Sequence, residues 1–122
     1  MSSQVVAHKQ VVRAYYKALD GGDKAALEAL CQPGCMMVQQ GTGRVLGVEE
    51  YWKFVGTIRG VLRGFVHQID VLVGEGDNVA TYGTVQATTS DGKLFKAPFL
   101  NLVTFEDGKV VELVAILDAR GE

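Results

Sequence analysis

The spacing of hydrophobic positions changes near the middle of the chain, and the predicted architecture follows from that change. From Gln4 to Asp20, steps of about 100° per residue place Lys9, Arg13 and Lys17 on one side. His8, Val11, Val12, Tyr15, Ala18 and Leu19 gather on the other. This pattern predicts an amphipathic helix with Tyr15 near the middle of its buried stripe, stopped by Asp20-Gly21-Gly22. A shorter helix opens at Asp23, whose carboxylate suits an N-cap, shows Ala26, Leu27 and Leu30 on one face, and ends at Pro33-Gly34. Cys35 to Gln40 alternates as a strand with Cys35, Met37 and Gln39 on one face, and Gly41-Thr42-Gly43 is a turn. A third helix is predicted from about Val48 to Arg59, because Val48, Tyr51, Trp52, Val55 and Ile58 share a side.

Beyond that point the period falls to two. Four β-rich runs, Phe65 to Val73, Val79 to Thr89, Leu94 to Phe105 and Val110 to Asp118, are separated by short polar breaks. Two of the breaks contain Asp-Gly, at Asp91-Gly92 and Asp107-Gly108, and the other is Gly-rich; these are hairpin signals. The runs therefore form an antiparallel meander. Helices first and long strands afterwards predict an α+β fold in which a curved antiparallel sheet wraps about three N-terminal helices. Strands this long must twist and curl, and a curled sheet with helices on its concave side leaves a hollow.

Composition narrows the function classes. At 122 residues the chain is expected to be one domain over 1–122. A formal net charge of −2 excludes the concentrated basic surface that nucleic acid requires. The polar start Met1-Ser2-Ser3-Gln4 has no signal-peptide core, and no apolar run reaches membrane-spanning length. The expectation is a cytoplasmic protein with no nucleic-acid or membrane partner. Cys31 and Cys35, spaced C-x3-C, match neither a redox C-x-x-C nor a zinc pair and are expected as buried free thiols. No metal or other cofactor is expected: two histidines without a carboxylate cluster do not make a metal site.

Two polar residues stand out against apolar surroundings. Asn101 interrupts Phe99-Leu-Asn-Leu-Val-Thr-Phe105 and, if it faces inward, must be hydrogen-bonded or open to a cavity. His67 alternates inward with Phe65 and Ile69 and is the best candidate for a general base. His8 reads as a histidine at the edge of the first helix's buried face. On the outer face of the sheet, Leu100 and Leu102 alternate away from Asn101, and Val114 and Ile116 alternate away from Ala115. An outer face this apolar predicts burial against a second copy, hence a homodimer.

Three stretches carry a family resemblance: Arg13-Ala-Tyr-Tyr-Lys-Ala-Leu-Asp-Gly-Gly-Asp23, Val45-Leu-Gly-Val-Glu-Glu-Tyr-Trp52, and Lys96-Ala-Pro-Phe-Leu-Asn-Leu-Val-Thr-Phe-Glu-Asp-Gly-Lys-Val-Val-Glu112. Their order resembles the nuclear transport factor 2-like superfamily, a cone-shaped α+β fold that includes ketosteroid isomerases and SnoaL-like cyclases. The resemblance implies a pocket for a hydrophobic small molecule. It places Tyr15 and Asn101 where the isomerases hold their oxyanion-binding Tyr and protonated Asp. It places Gln39 at the position of the isomerase base, and an amide cannot take a proton at neutral pH. Against the cyclases' last strand, Ala115 stands at the acid/base Asp and Val114 at the Trp, so the usual catalytic Asp is missing.

The catalytic set expected on this basis is Tyr15, Asn101 and His67, with Tyr15 and Asn101 sharing one hollow. Met37, Gln39, Trp52, Phe54, Phe99, Ala115 and Leu117 are expected to line the substrate pocket. Two readings remain open: an isomerase- or lyase-type enzyme acting on an apolar carbonyl-bearing ligand, and a non-catalytic ligand-binding or protein-interaction module.

Overall fold

The structure is a computed structural model, and it describes residues 3–39 and 43–117, with the side chain of Leu117 outside that description. Three helices, α1 (Ser3–Gly21), α2 (Lys24–Ala29) and α3 (Val48–Val61), pack on a six-stranded sheet. The strands are β1 (Cys31–Gln39), β2 (Arg44–Gly47), β3 (Leu62–Glu75), β4 (Asn78–Thr89), β5 (Leu94–Glu106) and β6 (Lys109–Leu117), ordered β2-β1-β6-β5-β4-β3. The predicted meander is present as β3 to β6. Its hairpins close where the sequence indicated, with Asp107 and Gly108 both at positive φ (53° and 79°), the conformation a tight Asp-Gly turn requires.

Three local features differ from the sequence expectation. The sheet is mixed, because β1 runs parallel to β6 while pairing antiparallel with β2. Residues 44–47, unassigned between the predicted turn and third helix, form β2, which pairs only with β1 at the edge of the sheet. Pro33-Gly34 does not follow a helix end directly; it lies inside β1, at a break in register between Cys31 and Met36. Proline tolerates this place because the residues there bulge out of the ladder.

One face of the sheet is covered and the other is open. The covered face carries Val79, Thr81, Val85, Ala97, Phe99, Asn101, Val103 and Leu113, all buried. α1 lies across it and buries Val5, His8, Val12, Tyr15, Tyr16, Ala18 and Leu19. His8 is not at an edge: its ring stacks on Phe105 with centroids 4.1 Å apart and planes 5° from parallel. The end of α1 is fastened by Arg59, which donates to the Leu19 carbonyl and lies 4.6 Å from the Phe65 ring centroid and 5.8 Å from that of Trp52. Where β3 crosses β4, the register shifts between Ile69 and Val71, and the backbones approach very closely. A Cβ at Gly83 would lie 1.8 Å from the Gln68 carbonyl oxygen, so only glycine fits there.

The open face carries an apolar band. Val73, Ala80, Leu102, Val114, Val38 and Val45 lie opposite one another in register across all six strands. A second row, Val71, Tyr82, Leu100 and Ile116, runs beside it, and all four are exposed.

Candidate active site

The two adjacent tyrosines of α1 point to opposite flanks of its buried stripe, because neighbouring helix positions diverge by about 100°. Tyr15 turns toward α3, and its hydroxyl meets that of Tyr51 at 2.6 Å. Both groups are deeply buried. Burial, reinforced by the neighbouring hydroxyl, holds the Tyr15 phenol well above its ordinary value. Burial pushes Tyr51 up to about 12, partly offset by its hydrogen bond with Tyr15.

Tyr16 turns toward the sheet. The Asn101 amide Nδ2 donates to the Tyr16 hydroxyl oxygen, and the Tyr16 ring lies 5.4 Å from Phe99 and 5.0 Å from His67. The expected pairing of Tyr15 with Asn101 is therefore corrected by one residue: Asn101 meets Tyr16. Burial raises the Tyr16 phenol well above its usual value, and the Asn101 donor opposes that shift. Tyr16 therefore keeps its proton at neutral pH, and with its oxygen accepting from Asn101 its O–H is left as a donor. Thr81, directly opposite Asn101 on β4, is fully buried with its hydroxyl beside that of Tyr16.

One turn further along α1, on the same flank as Tyr16, is Asp20. The i, i+4 spacing brings both side chains to β3. Asp20 holds residue 67 twice: Oδ2 accepts from the His67 backbone N–H at 2.8 Å, and Oδ1 lies 2.6 Å from His67 Nδ1. A carboxylate only accepts, so Nδ1 carries the proton; in the neutral imidazole the lone pair then sits on Nε2. The imidazole is boxed by Tyr16 and Phe99, each 5.0 Å away, and by Phe65 at 6.0 Å. Side-chain exposures of 13% for His67 and 17% for Asp20 leave this edge reachable from solvent while most of it is dry.

The remaining expected positions divide. Met37 and Phe99 are packed into the core. Gln39, Trp52, Phe54 and Ala115 are half-buried, and Arg44 lies over the Phe54 ring at 5.2 Å. Thr81, Asn101, Ala115, Gln39 and Arg44 fall in one register row across β4, β5, β6, β1 and β2, so they share the covered face. The Leu117 backbone pairs with Phe99, and its side chain lies outside the described residues.

Tyr15 and Asn101 thus belong to two separate hydrogen-bonded pairs, Tyr15 with Tyr51 and Asn101 with Tyr16. Two clefts of about 360 and 470 Å³ open elsewhere: one by Gly64, Gln86 and Leu94, the other by Cys31, Val48 and Lys109. Among the described residues no cluster of three His, Cys, Asp or Glu could hold a metal ion. Nor is any described helix long and apolar enough to cross a membrane.

Tyr16 and Asp20 were missed in the sequence for different reasons. Tyr16 looked secondary to its neighbour because the stripe was centred on Tyr15; Val5, Val12 and Tyr16 together mark the stripe's true breadth. Asp20 was read only as the helix stop. Its spacing of four from Tyr16 was the available signal.

With this geometry in place, comparison with known proteins gives the family. The SnoaL-like domain model matches residues 12–113, and the chain belongs to that family. Solved structures agree in fold. A protein from Jannaschia sp. CCS1, provisionally assigned as a SnoaL-like polyketide cyclase, is 18% identical, with 97% of this chain and 90% of that chain covered and a TM-score of 0.88. TerC, co-crystallised with polyporic acid, is 23% identical, with 92% of each chain covered and a TM-score of 0.81. A hypothetical protein from Catenulispora acidiphila with a ketosteroid isomerase-like fold, solved with trimethylamine, is 17% identical, with 87% and 83% covered and a TM-score of 0.77. Among curated proteins no match was found.

Proposed function

We propose that this SnoaL-like chain is an isomerase- or lyase-type enzyme that moves a proton on an apolar, carbonyl-bearing small molecule. The observation that carries the reading is the Asp20–His67 pair at 2.6 Å beside the Tyr16–Asn101 pair. In this reading the supporting carboxylate is Asp20, supplied from α1. In this scheme His67 Nε2 takes a proton from the carbon next to the carbonyl, and the Asp20 carboxylate stabilises the imidazolium that forms. The electron pair moves onto the carbonyl oxygen, and the Tyr16 hydroxyl donates to the developing enolate. Asn101 acts through Tyr16: by donating to the phenol oxygen it fixes the direction of the Tyr16 O–H. Return of the proton at another carbon completes an isomerisation; departure of a β-substituent completes an elimination. Half-buried Trp52, Phe54, Gln39 and Ala115 would contact the ligand body. The ligands in the names of two structural neighbours, polyporic acid and trimethylamine, are consistent with small-molecule binding on this fold.

The test is deuterium uptake by a panel of apolar cyclic ketones in D2O, followed by proton NMR. The wild type should accelerate exchange at the carbon next to the carbonyl, and both His67→Gln and Asn101→Leu should reduce that acceleration. A non-catalytic binding role is favoured by one observation, that the Asn101 amide is already committed to Tyr16. Ketones that perturb the His67 and Tyr16 ring signals yet exchange no faster than in buffer would select that role.

The open face of the sheet supports a second copy as partner. An apolar row that runs in register through all six strands is burial-ready on one side only. Light scattering at micromolar concentration should give twice the chain mass, and Leu102→Asp, at the centre of that row, should give the chain mass alone. A wild-type monomer under those conditions would remove the homodimer.

A further inference from the structure

The break in β1 has a chemical consequence at the opposite end of the sheet from Gln39. Cys31 pairs with Val110 and Met36 with Glu112, so β1 uses five residues where β6 uses two. Two residues of strand span at most about 7 Å. The additional residues, Gln32, Pro33 and Gly34, arch outward, with Pro33 and Gly34 exposed. The arch is fixed at both ends: the Val110 N–H donates to the Leu30 carbonyl at 2.9 Å, and Met36 rejoins the ladder at Gly47. Cys31 and Cys35, which an unbroken strand would hold about 13 Å apart, are thereby folded back onto each other. Their thiols interact directly, and both side chains are buried. A disulfide requires Cα atoms about 4.4–6.8 Å apart, and the five-for-two register brings Met36, the neighbour of Cys35, within about a two-residue span of Cys31.

The two sulfurs are not equivalent. Cys31 lines the cleft of about 470 Å³ together with Glu28, Pro33, Val48 and Lys109, whereas Cys35 is absent from that lining and 2% exposed. The hydrogen bond from Cys35 lowers the pKa of Cys31 against opposing burial and the nearby Glu28. The same contact and burial, with Glu112 nearby, raise Cys35.

We propose that Cys31 and Cys35 form a reversible peroxide-responsive disulfide, with Cys31 as the reacting thiol and Cys35 as the resolving one. The Cys31 thiolate attacks one oxygen of hydrogen peroxide, the O–O bond breaks, and sulfenic acid forms with release of hydroxide, which takes up the proton lost by the thiol. The Cys35 sulfur then attacks the Cys31 sulfur, the S–O bond breaks, and water leaves with the Cys35 proton. In sum two thiols and one peroxide give one disulfide and two waters. A thiol reductant reverses the step. This pairing is independent of the proton-transfer reading, because the arch lies away from Asp20 and His67.

The experiment treats the reduced, folded chain with stoichiometric hydrogen peroxide, counts free thiols and measures the intact mass without reductant. Both thiols should disappear together, the mass should fall by two hydrogens, and no covalent dimer should form. Cys35→Ser should accumulate a dimedone-trappable sulfenic acid at Cys31. Cys31→Ser should leave Cys35 at least about tenfold slower to react. Circular dichroism of each variant establishes that it is folded. Covalent dimers, stepwise oxidation to sulfinic acid without a disulfide, or Cys35 reacting faster than Cys31 would each overturn the proposal.

Discussion

His67→Gln is expected to lower the rate of ketone proton exchange by about 10²- to 10⁴-fold, the range that a positioned general base supplies. Glutamine keeps a donor that can reach the Asp20 carboxylate and fills similar space, so the fold should persist while the lone pair at Nε2 is lost. Asn101→Leu should act more mildly and differently. It removes the donor that orients Tyr16 but leaves the base, so the expected loss is about tenfold to a hundredfold, at or below that of one oxyanion donor. Binding of the ketone should weaken alongside it. If His67→Gln exchanges as fast as wild type while remaining folded, His67 is a core histidine satisfied by Asp20 and takes no part in chemistry.

Gly83→Ala should be the most damaging single-methyl change in the sheet. The added carbon would lie 1.8 Å from the Gln68 carbonyl oxygen, 2.9 Å from its carbonyl carbon and 3.0 Å from Phe99 Cε2. Two of those atoms are backbone, so β3 itself must move rather than a flexible side-chain end. Overpacking of this kind costs about 3 kcal/mol, at the upper end of the usual range. The shift would travel to the Ile69–Val71 irregularity and to Phe99, both beside His67. Urea unfolding should therefore show a large fall in the midpoint at unchanged slope, with a perturbed His67 ring signal in the folded protein. A midpoint within about 0.5 kcal/mol of wild type, the scatter of neutral surface changes, would contradict the close approach of β3 and β4.

How much of this was legible in the sequence depends on whether the cause was local. The helix of residues 3–21, the Asp23 cap accepting from Ala26 N–H and the Asp-Gly hairpins follow from side-chain periodicity and turn chemistry. β2 and the parallel β1–β6 pairing did not, because short edge strands are defined by a neighbour remote in sequence. In the site, Asn101 and His67 were visible as polar residues at inward positions of apolar strands. Their partners were not: choosing between Tyr15 and Tyr16 requires the rotation of α1 on the sheet, which is set by packing against β3 and β5. Asp20 was hidden because Asp-Gly-Gly reads as a helix stop, whereas its carboxylate reaches across to His67. The arch at Pro33-Gly34 was hidden because proline and glycine after a helix look like a plain stop.

The central claim is that Asp20 holds the His67 ring in the tautomer with its proton on Nδ1, leaving Nε2 for the substrate. Long-range nitrogen–proton NMR of ¹⁵N-histidine-labelled protein at neutral pH reads this directly, with Asp20→Asn as the companion sample. The account predicts a His67 signal of the Nδ1–H form in the wild type and a change of tautomer or loss of a single form in the variant. A wild-type His67 with its proton on Nε2, or a signal unaltered by Asp20→Asn, would contradict it.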